Sequence, residues 1–316
     1  MPRLKQPFKK TEQQLAEEAR KNHYTEIAEK HLNMFAAWLE TEQACSKNTV
    51  KTYLTHLRLY YKWLDNDNSS LKKLYAKDIQ KFKEVHSKTK AQTLNLKLNS
   101  LKKYNEFLLS IGKMQGIIIL KNHFVKTQTR YANPTTITQQ EVKNSLDKIL
   151  NDTQNRFKNR DYLIVHMLIT TGLRVSELSN IKLTDIDIGR EELRVRGKGN
   201  KERTVYLSQV STQLKKYLKN ERTSDNYGKM IDSEYLFVTT RTEKISPNYV
   251  WKMLKSYGIA FCPHQCRHFF CTNCIENEMN IHEVAYIAGH SNVQTTMLYT
   301  NPSKEQMKKK MASMKF

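Results

Sequence analysis

The pattern that most constrains this chain is a break in its apolar periodicity. The segment Gln128-Thr129-Arg130-Tyr131-Ala132-Asn133-Pro134-Thr135-Thr136 follows no period and contains an Asn-Pro step, which favours extended or turn backbone. Immediately after it, Thr138-Gln139-Gln140-Glu141 has the spacing of a capping box: a threonine hydroxyl to accept the third backbone N–H and a glutamate to reach back. A helix must start there and cannot run through from before. The 316 residues therefore divide into two stretches, each long enough to bury its own core at roughly 100–200 residues per domain.

Before the break, from about Ile27, the chain reads as helices. Ile27, Leu32, Phe35 and Leu39 make a loose stripe. Val50, Tyr53, Leu54, Leu57, Tyr61 and Leu64 keep the 3.6-residue period closely, and Leu94, Leu98, Leu101 and Leu108 form another stripe. After the break, Val142, Leu146, Ile149 and Leu150 face inward on the capped helix. Asp161–Thr171 is an apolar helix that Gly172 would close as a left-handed residue. Arg174 heads a short helix carrying Leu178 and Ile181. The period then changes to two: Glu192–Arg196 and Arg203–Leu207 read as strands around the loop Gly197-Lys198-Gly199-Asn200-Lys201. Ile186–Ile188 and Tyr235–Val238 are further short strand candidates, and from Tyr249 onward the chain reads as helices. The expected class is mainly α with a small antiparallel β-sheet (α+β). The expected organisation is an arm over 1–25, a helical domain over 26–126, a linker over 127–136 and a mixed domain over 137–316.

Charge narrows the partner. Lys and Arg number 53 against 31 Asp and Glu, a net +22, which favours a polyanion whose phosphates release counterions when neutralised. The excess is concentrated: residues 51–131 hold 17 basic and 5 acidic side chains, whereas 132–316 hold 28 and 19. No apolar run reaches the 18 or more residues of a membrane span, and the first ten residues lack the apolar stretch of a signal peptide. Five cysteines suit a reducing compartment, hence the cytoplasm, better than a disulfide framework. Cys262, Cys266, Cys271 and Cys274 lie on one expected helix with His264 and His268. That spacing leaves no room for two opposed zinc knuckles, so packing inside the helix is expected and no metal or other cofactor.

Three strings carry candidate chemistry: Gly172-Leu173-Arg174-Val175-Ser176-Glu177-Leu178; His264-Gln265-Cys266-Arg267-His268; and Gly289-His290-Ser291-Asn292-Val293-Gln294-Thr295-Thr296-Met297-Leu298-Tyr299-Thr300. Guanidinium groups present fixed, always-charged donors that match phosphate oxygens. His264 and Arg267, three apart, share a helical face, with Pro263 in the first turn where proline is tolerated. Imidazoles move protons near neutral pH, and a phenol oxygen can attack phosphorus.

In this order the strings resemble the active site of the tyrosine recombinase (phage integrase) family, in its compact Xer-like or transposon-resolvase form. The resemblance covers about residues 27–316. It implies Tyr299 as nucleophile, Arg174 and Arg267 as phosphate clamp, His264 as acid/base, His290 as a donor to the scissile phosphate and Glu177 as a brace of the arginine cluster. It implies Lys198 as the general acid, with Lys201 the alternate. The implied substrate is double-stranded DNA with an inverted-repeat core site, gripped by the helical domain. Four subunits would pair two sites and exchange a C-terminal helix over 303–316, where Met307, Met311 and Met314 share a face. The expected setting is cytoplasmic, on the nucleoid. A type IB topoisomerase-like enzyme and a non-catalytic DNA-binding regulator are the alternative readings.

Overall fold

The computed structural model describes residues 28–66, 74–127, 137–197, 202–222, 232–290 and 292–297, with 308, 311 and 312. The arm over 1–25, most of the linker, Lys198, Lys201, Tyr299 and nearly all of the helix expected over 303–316 lie outside them. The chain divides into two compact units, Met1–Thr129 and Arg130–Phe316.

The first unit is helical. Its helices are α1 (28–41), α2 (Lys47–Asn66), α3 (Ala76–Val85) and α4 (Ala91–Ser110), followed by one 3-10 turn at Lys121–His123. Phe35, Leu39, Leu57, Tyr60, Leu64, Phe82, Leu98, Tyr104 and Leu108 meet in one core. The stripes expected on α1, α2 and α4 are those that turn inward, save Ile27, which lies outside the described residues. The chain leaving α4 is held by Asn105, which is fully buried. Its amide donates to the Gly116 carbonyl at 3.1 Å and its oxygen accepts from the Ile118 N–H at 2.8 Å. A buried amide is tolerated because both its ends are bonded.

In the second unit α5 (Gln139–Leu150) opens with the expected capping box: Thr138 Oγ1 accepts from Glu141 N at 3.1 Å and Glu141 Oε2 from Thr138 N at 2.7 Å. Helix α6 (Lys158–Thr171) begins three residues before the expected Asp161. Its run Tyr162–Leu168 is buried except at His166, so it is a central helix rather than a surface one. Gly172 ends it in the left-handed region, φ 63°. The short α7 (Val175–Leu178) follows.

The sheet has the order β1-β2-β3, all antiparallel, from Ile186–Asp187, Glu192–Arg196 and Glu202–Tyr206. Helices α8 (Ser211–Asn220), α9 (Pro247–Ser256), α10 (Pro263–Glu276), α11 (Ile281–Ala288) and the short α12 (Gln294–Met297) complete the unit. Helix α10 packs along α6, and α11 lies against β3 and α10. No helix among the described residues is long and apolar enough to cross a membrane.

Tyr235–Val238 does not join the sheet as a strand. It makes one isolated bridge, Tyr235 to Lys182. Leu236, Phe237 and Val238 are all buried, without alternation. Side chains take two of their carbonyls instead: Tyr217 and Arg222 donate to Leu236 O, and Arg160 donates to Val238 O, while Phe237 O accepts from the Ile245 N–H.

Candidate active site

The site forms where four segments converge: the start of α7, the start of β3, the first turns of α10 and the end of α11. Arg174 is the N-cap of α7. Glu177, at the third helical position, accepts from the Arg174 N–H at 2.8 Å and from its Nη1 at 2.9 Å. The other Arg174 nitrogen, Nη2, donates to the Gly289 carbonyl at 2.9 Å. The Arg174 side chain is 42% exposed, whereas Glu177 is 6%. Burial alone would raise the Glu177 carboxyl. Hydrogen bonds from Arg203 and the Arg174 N–H, and both guanidinium charges, outweigh it and hold the carboxyl below the usual range.

Arg267 is buried on α10. Its Nη1 donates to the Gly172 carbonyl at 2.6 Å, and its Nη2 is buried with no hydrogen-bond partner among the described residues. Burial and the charge of Arg174 bring its guanidinium down to about 10. Gly172 is the residue that allows this arrangement. A Cβ there would lie 2.3 Å from the Phe270 ring, on backbone that side chains rarely adopt.

His264, one residue after the helix-opening Pro263, stays accessible to solvent. Partial burial and then the charges of Arg267 and Arg174 hold its imidazole below the usual histidine range. Its Nε2 lies 3.0 Å from Nε2 of His268, one turn on. His290 follows Gly289, which closes α11 at φ 67°. Its Nδ1 is 2.7 Å from Oγ1 of the buried Thr296 in α12. Burial and the charges of Arg267, Arg174 and Arg203 bring His290 down to about 4. Burial, His264 and Arg267 do the same to His268. Both rings are neutral at pH 7.

The structure thus brings together Arg174, Glu177, His264, Arg267 and His290. Lys198, Lys201 and Tyr299 lie outside the described residues. Two members were not singled out in the sequence. Arg203 on β3 points inward and forks onto Glu177, Nη1 to Oε1 at 3.1 Å and Nη2 to Oε2 at 2.8 Å. Thr296 holds the His290 ring. For Arg203 a signal was present: it occupies an inward position of a strand whose other inward residue is Val205, and an inward arginine demands a carboxylate.

The cysteines are not part of this chemistry. Cys266, Cys271 and Cys274 are buried on α10. Burial pushes the Cys271 thiol up to about 12 and that of Cys274 to about 11. Among the described residues no group of three or more His, Cys, Asp or Glu could hold a metal ion.

Two family models match the chain: the phage integrase family over residues 136–306, and the phage integrase N-terminal SAM-like domain over 10–112. The chain is 41% identical over 283 residues to the TnP I resolvase of Bacillus thuringiensis, covering 88% of this chain and 97% of that protein. It is 35% identical over 288 residues to the tyrosine recombinase XerA of Pyrococcus furiosus, covering 88% and 91%. Among solved structures its fold is similar to that of the XerH site-specific recombinase bound to palindromic difH substrate. There the TM-score is 0.65 at 17% identity, covering 84% of this chain and 79% of that one.

Proposed function

This chain belongs to the phage integrase family of tyrosine recombinases, and from that premise we propose how it cuts and rejoins DNA. It is a site-specific DNA recombinase. The observation that carries the assignment of its site is the buried Nη2 of Arg267. A buried guanidinium N–H without an acceptor costs about 1–3 kcal/mol or more. Beside Arg174 and two neutral imidazoles, the acceptor that fits is an anionic oxygen.

The scissile phosphate is that anion. Arg267 and Arg174 hold its non-bridging oxygens, and their charge counts for more as the pentavalent transition state gathers charge on the equatorial oxygens. Tyr299 attacks phosphorus, its phenol proton passing to a base for which the solvent-accessible, neutral His264 is suited. The P–O5′ bond breaks, a 3′-phosphotyrosyl link forms, and Lys198 gives a proton to the departing 5′ oxygen. His290, oriented by Thr296, donates a hydrogen bond to the phosphate. The 5′ hydroxyl of another strand then attacks the phosphotyrosine and releases Tyr299. The link conserves the energy of the broken bond, so neither ATP nor a metal ion is required. The substrate is double-stranded DNA with an inverted-repeat core, two such sites being paired by four subunits. The biological use is resolution, integration or excision of a mobile element.

The test begins by sequencing DNA that the protein retains covalently, which maps its site. On a nicked duplex of that site the wild type should form an adduct at Tyr299 in the presence of EDTA. Tyr299→Phe should bind the same duplex and form none. An adduct in the variant, or its abolition by EDTA in the wild type, would overturn the mechanism.

A further inference from the structure

Arg203 is a charged side chain at an inward strand position. It pairs across the ladder with Val195 and is followed by the buried Val205. Its own residue is 7% exposed. Burying a guanidinium is costly unless it is paired and hydrogen-bonded, and each of its three nitrogens donates to an oxygen. Two form the fork onto Glu177. The third, Nε, donates to the Ile287 carbonyl at 2.8 Å.

Those contacts reach the phosphate-binding groups from behind. Each Glu177 oxygen is shared: Oε1 accepts from Arg203 Nη1 and Arg174 Nη1, and Oε2 from Arg203 Nη2 and the Arg174 N–H. The far side of Arg174 grips Gly289 O while Arg203 grips Ile287 O. The two arginines therefore hold carbonyls two residues apart at the end of α11, where helical carbonyls lack partners and cations are favoured. Gly289 sits directly on the fork, since a Cβ there would lie 2.8 Å from Arg203 Nη1. His290 is the next residue. One planar group thus sets the distance between β3, the carboxylate under Arg174 and the turn that carries His290.

We propose that Arg203 is a positioning residue that places the Arg174 guanidinium and the Gly289–His290 turn for the scissile phosphate, acting through Glu177 without touching DNA. The proposal rests on Arg174 being a phosphate ligand, as assigned above. Lysine cannot replace it, because an ammonium has neither the fork nor the fixed plane.

The experiment measures single-turnover adduct formation by the full chain at saturating DNA, on the mapped site. Arg203→Lys should slow it about 100-fold, the scale of a small misplacement of reacting groups. DNA affinity should stay as in the wild type, and unfolding should remain cooperative while shifting to lower denaturant, since a buried ion pair is weakened. Arg203→Lys combined with Arg174→Ala should be slower than Arg174→Ala alone by far less than 100-fold, because most of the first acts through the second and only its hold on the His290 turn remains. A methylphosphonate at the scissile position removes the charge that Arg174 neutralises, so both single variants should lose most of their deficit there. Glu177→Gln should reproduce the pattern and serves if Arg203→Lys does not fold. Wild-type rates for Arg203→Lys, additive losses, or equal deficits on phosphate and methylphosphonate would overturn the proposal while leaving Arg174 in place. A wild-type rate for Arg174→Ala would instead remove the phosphate-clamp reading and this proposal with it.

Discussion

At the scale of single residues the site is a set of cations and imidazoles around one carboxylate, Glu177, and the imbalance sets how it responds to pH. The unperturbed imidazole value of 6.5 falls to about 4 at His268 and His290. In the unfolded chain both return to ordinary values. Between about pH 6.5 and 4 the unfolded state therefore carries protons that the folded rings refuse. Their contribution to stability is complete above that window and is lost as pH drops through it. Denaturant titrations of the DNA-free protein from pH 7.5 to 4.5 should show stability declining on the acid side, with a shallower decline in His290→Asn. An equal slope in that variant would mean that the ring is not held neutral by its neighbours. Bound phosphate works the other way. Its charge raises both imidazoles, so DNA bound at this site should draw protons from solution near pH 6, measurable as buffer-dependent heats of binding.

At the scale of elements the critical piece is α11, eight residues long, whose last turn both Arg174 and Arg203 hold. Its start is built from its own sequence. Asn280 Oδ1 accepts from the N–H groups of His282 and Glu283, each at 3.0 Å, and Glu283 reaches back to the Asn280 N–H at 2.9 Å. Asn280→Ala should cost about 1 kcal/mol of stability and slow cleavage by misplacing His290, while Asn280→Ser should restore both. Full activity in Asn280→Ala would show the C-terminal grip to be sufficient alone. Elements of this kind were legible in the sequence because their signals are local. The stripe from Val50 to Leu64, the capping box at Thr138 and the left-handed glycine Gly172 each declare a helix or its end within a few residues. What was not legible depends on partners far along the chain. Arg203 lies 26 residues from Glu177 and 84 from Ile287, so periodicity places it in a strand without naming what it binds. Tyr235–Val238 has strand composition. Most of its carbonyls go to the side chains of Tyr217, Arg222 and Arg160, and no local pattern announces that.

At the scale of the whole molecule each unit has its own core, the first built around Phe35, Tyr60 and Tyr104 and the second around α6. The charge is divided differently from the chemistry. Residues 1–131 hold 25 Lys and Arg against 12 Asp and Glu, yet contain none of the proposed catalytic residues. Assembly is expected to involve the other end of the chain. Deleting residues 303–316 should leave binding to one site near normal while weakening the cooperative pairing of two sites in gel-shift titrations; unchanged pairing would confine that helix to its own subunit. Grip and chemistry should likewise separate. A fragment of residues 1–131, having a core of its own, should fold and bind duplex DNA. Its affinity should fall steeply between 50 and 200 mM salt, by about 10³ if some six phosphates are neutralised. Arg267→Ala in the full chain should do the reverse. Only one phosphate contact is lost, so affinity and its salt slope should change little. Cleavage should slow by about 10²–10³, the scale of losing one donor to the transition state. A fragment that fails to bind, or an Arg267→Ala protein that loses DNA before it loses chemistry, would show that the catalytic unit itself supplies the grip.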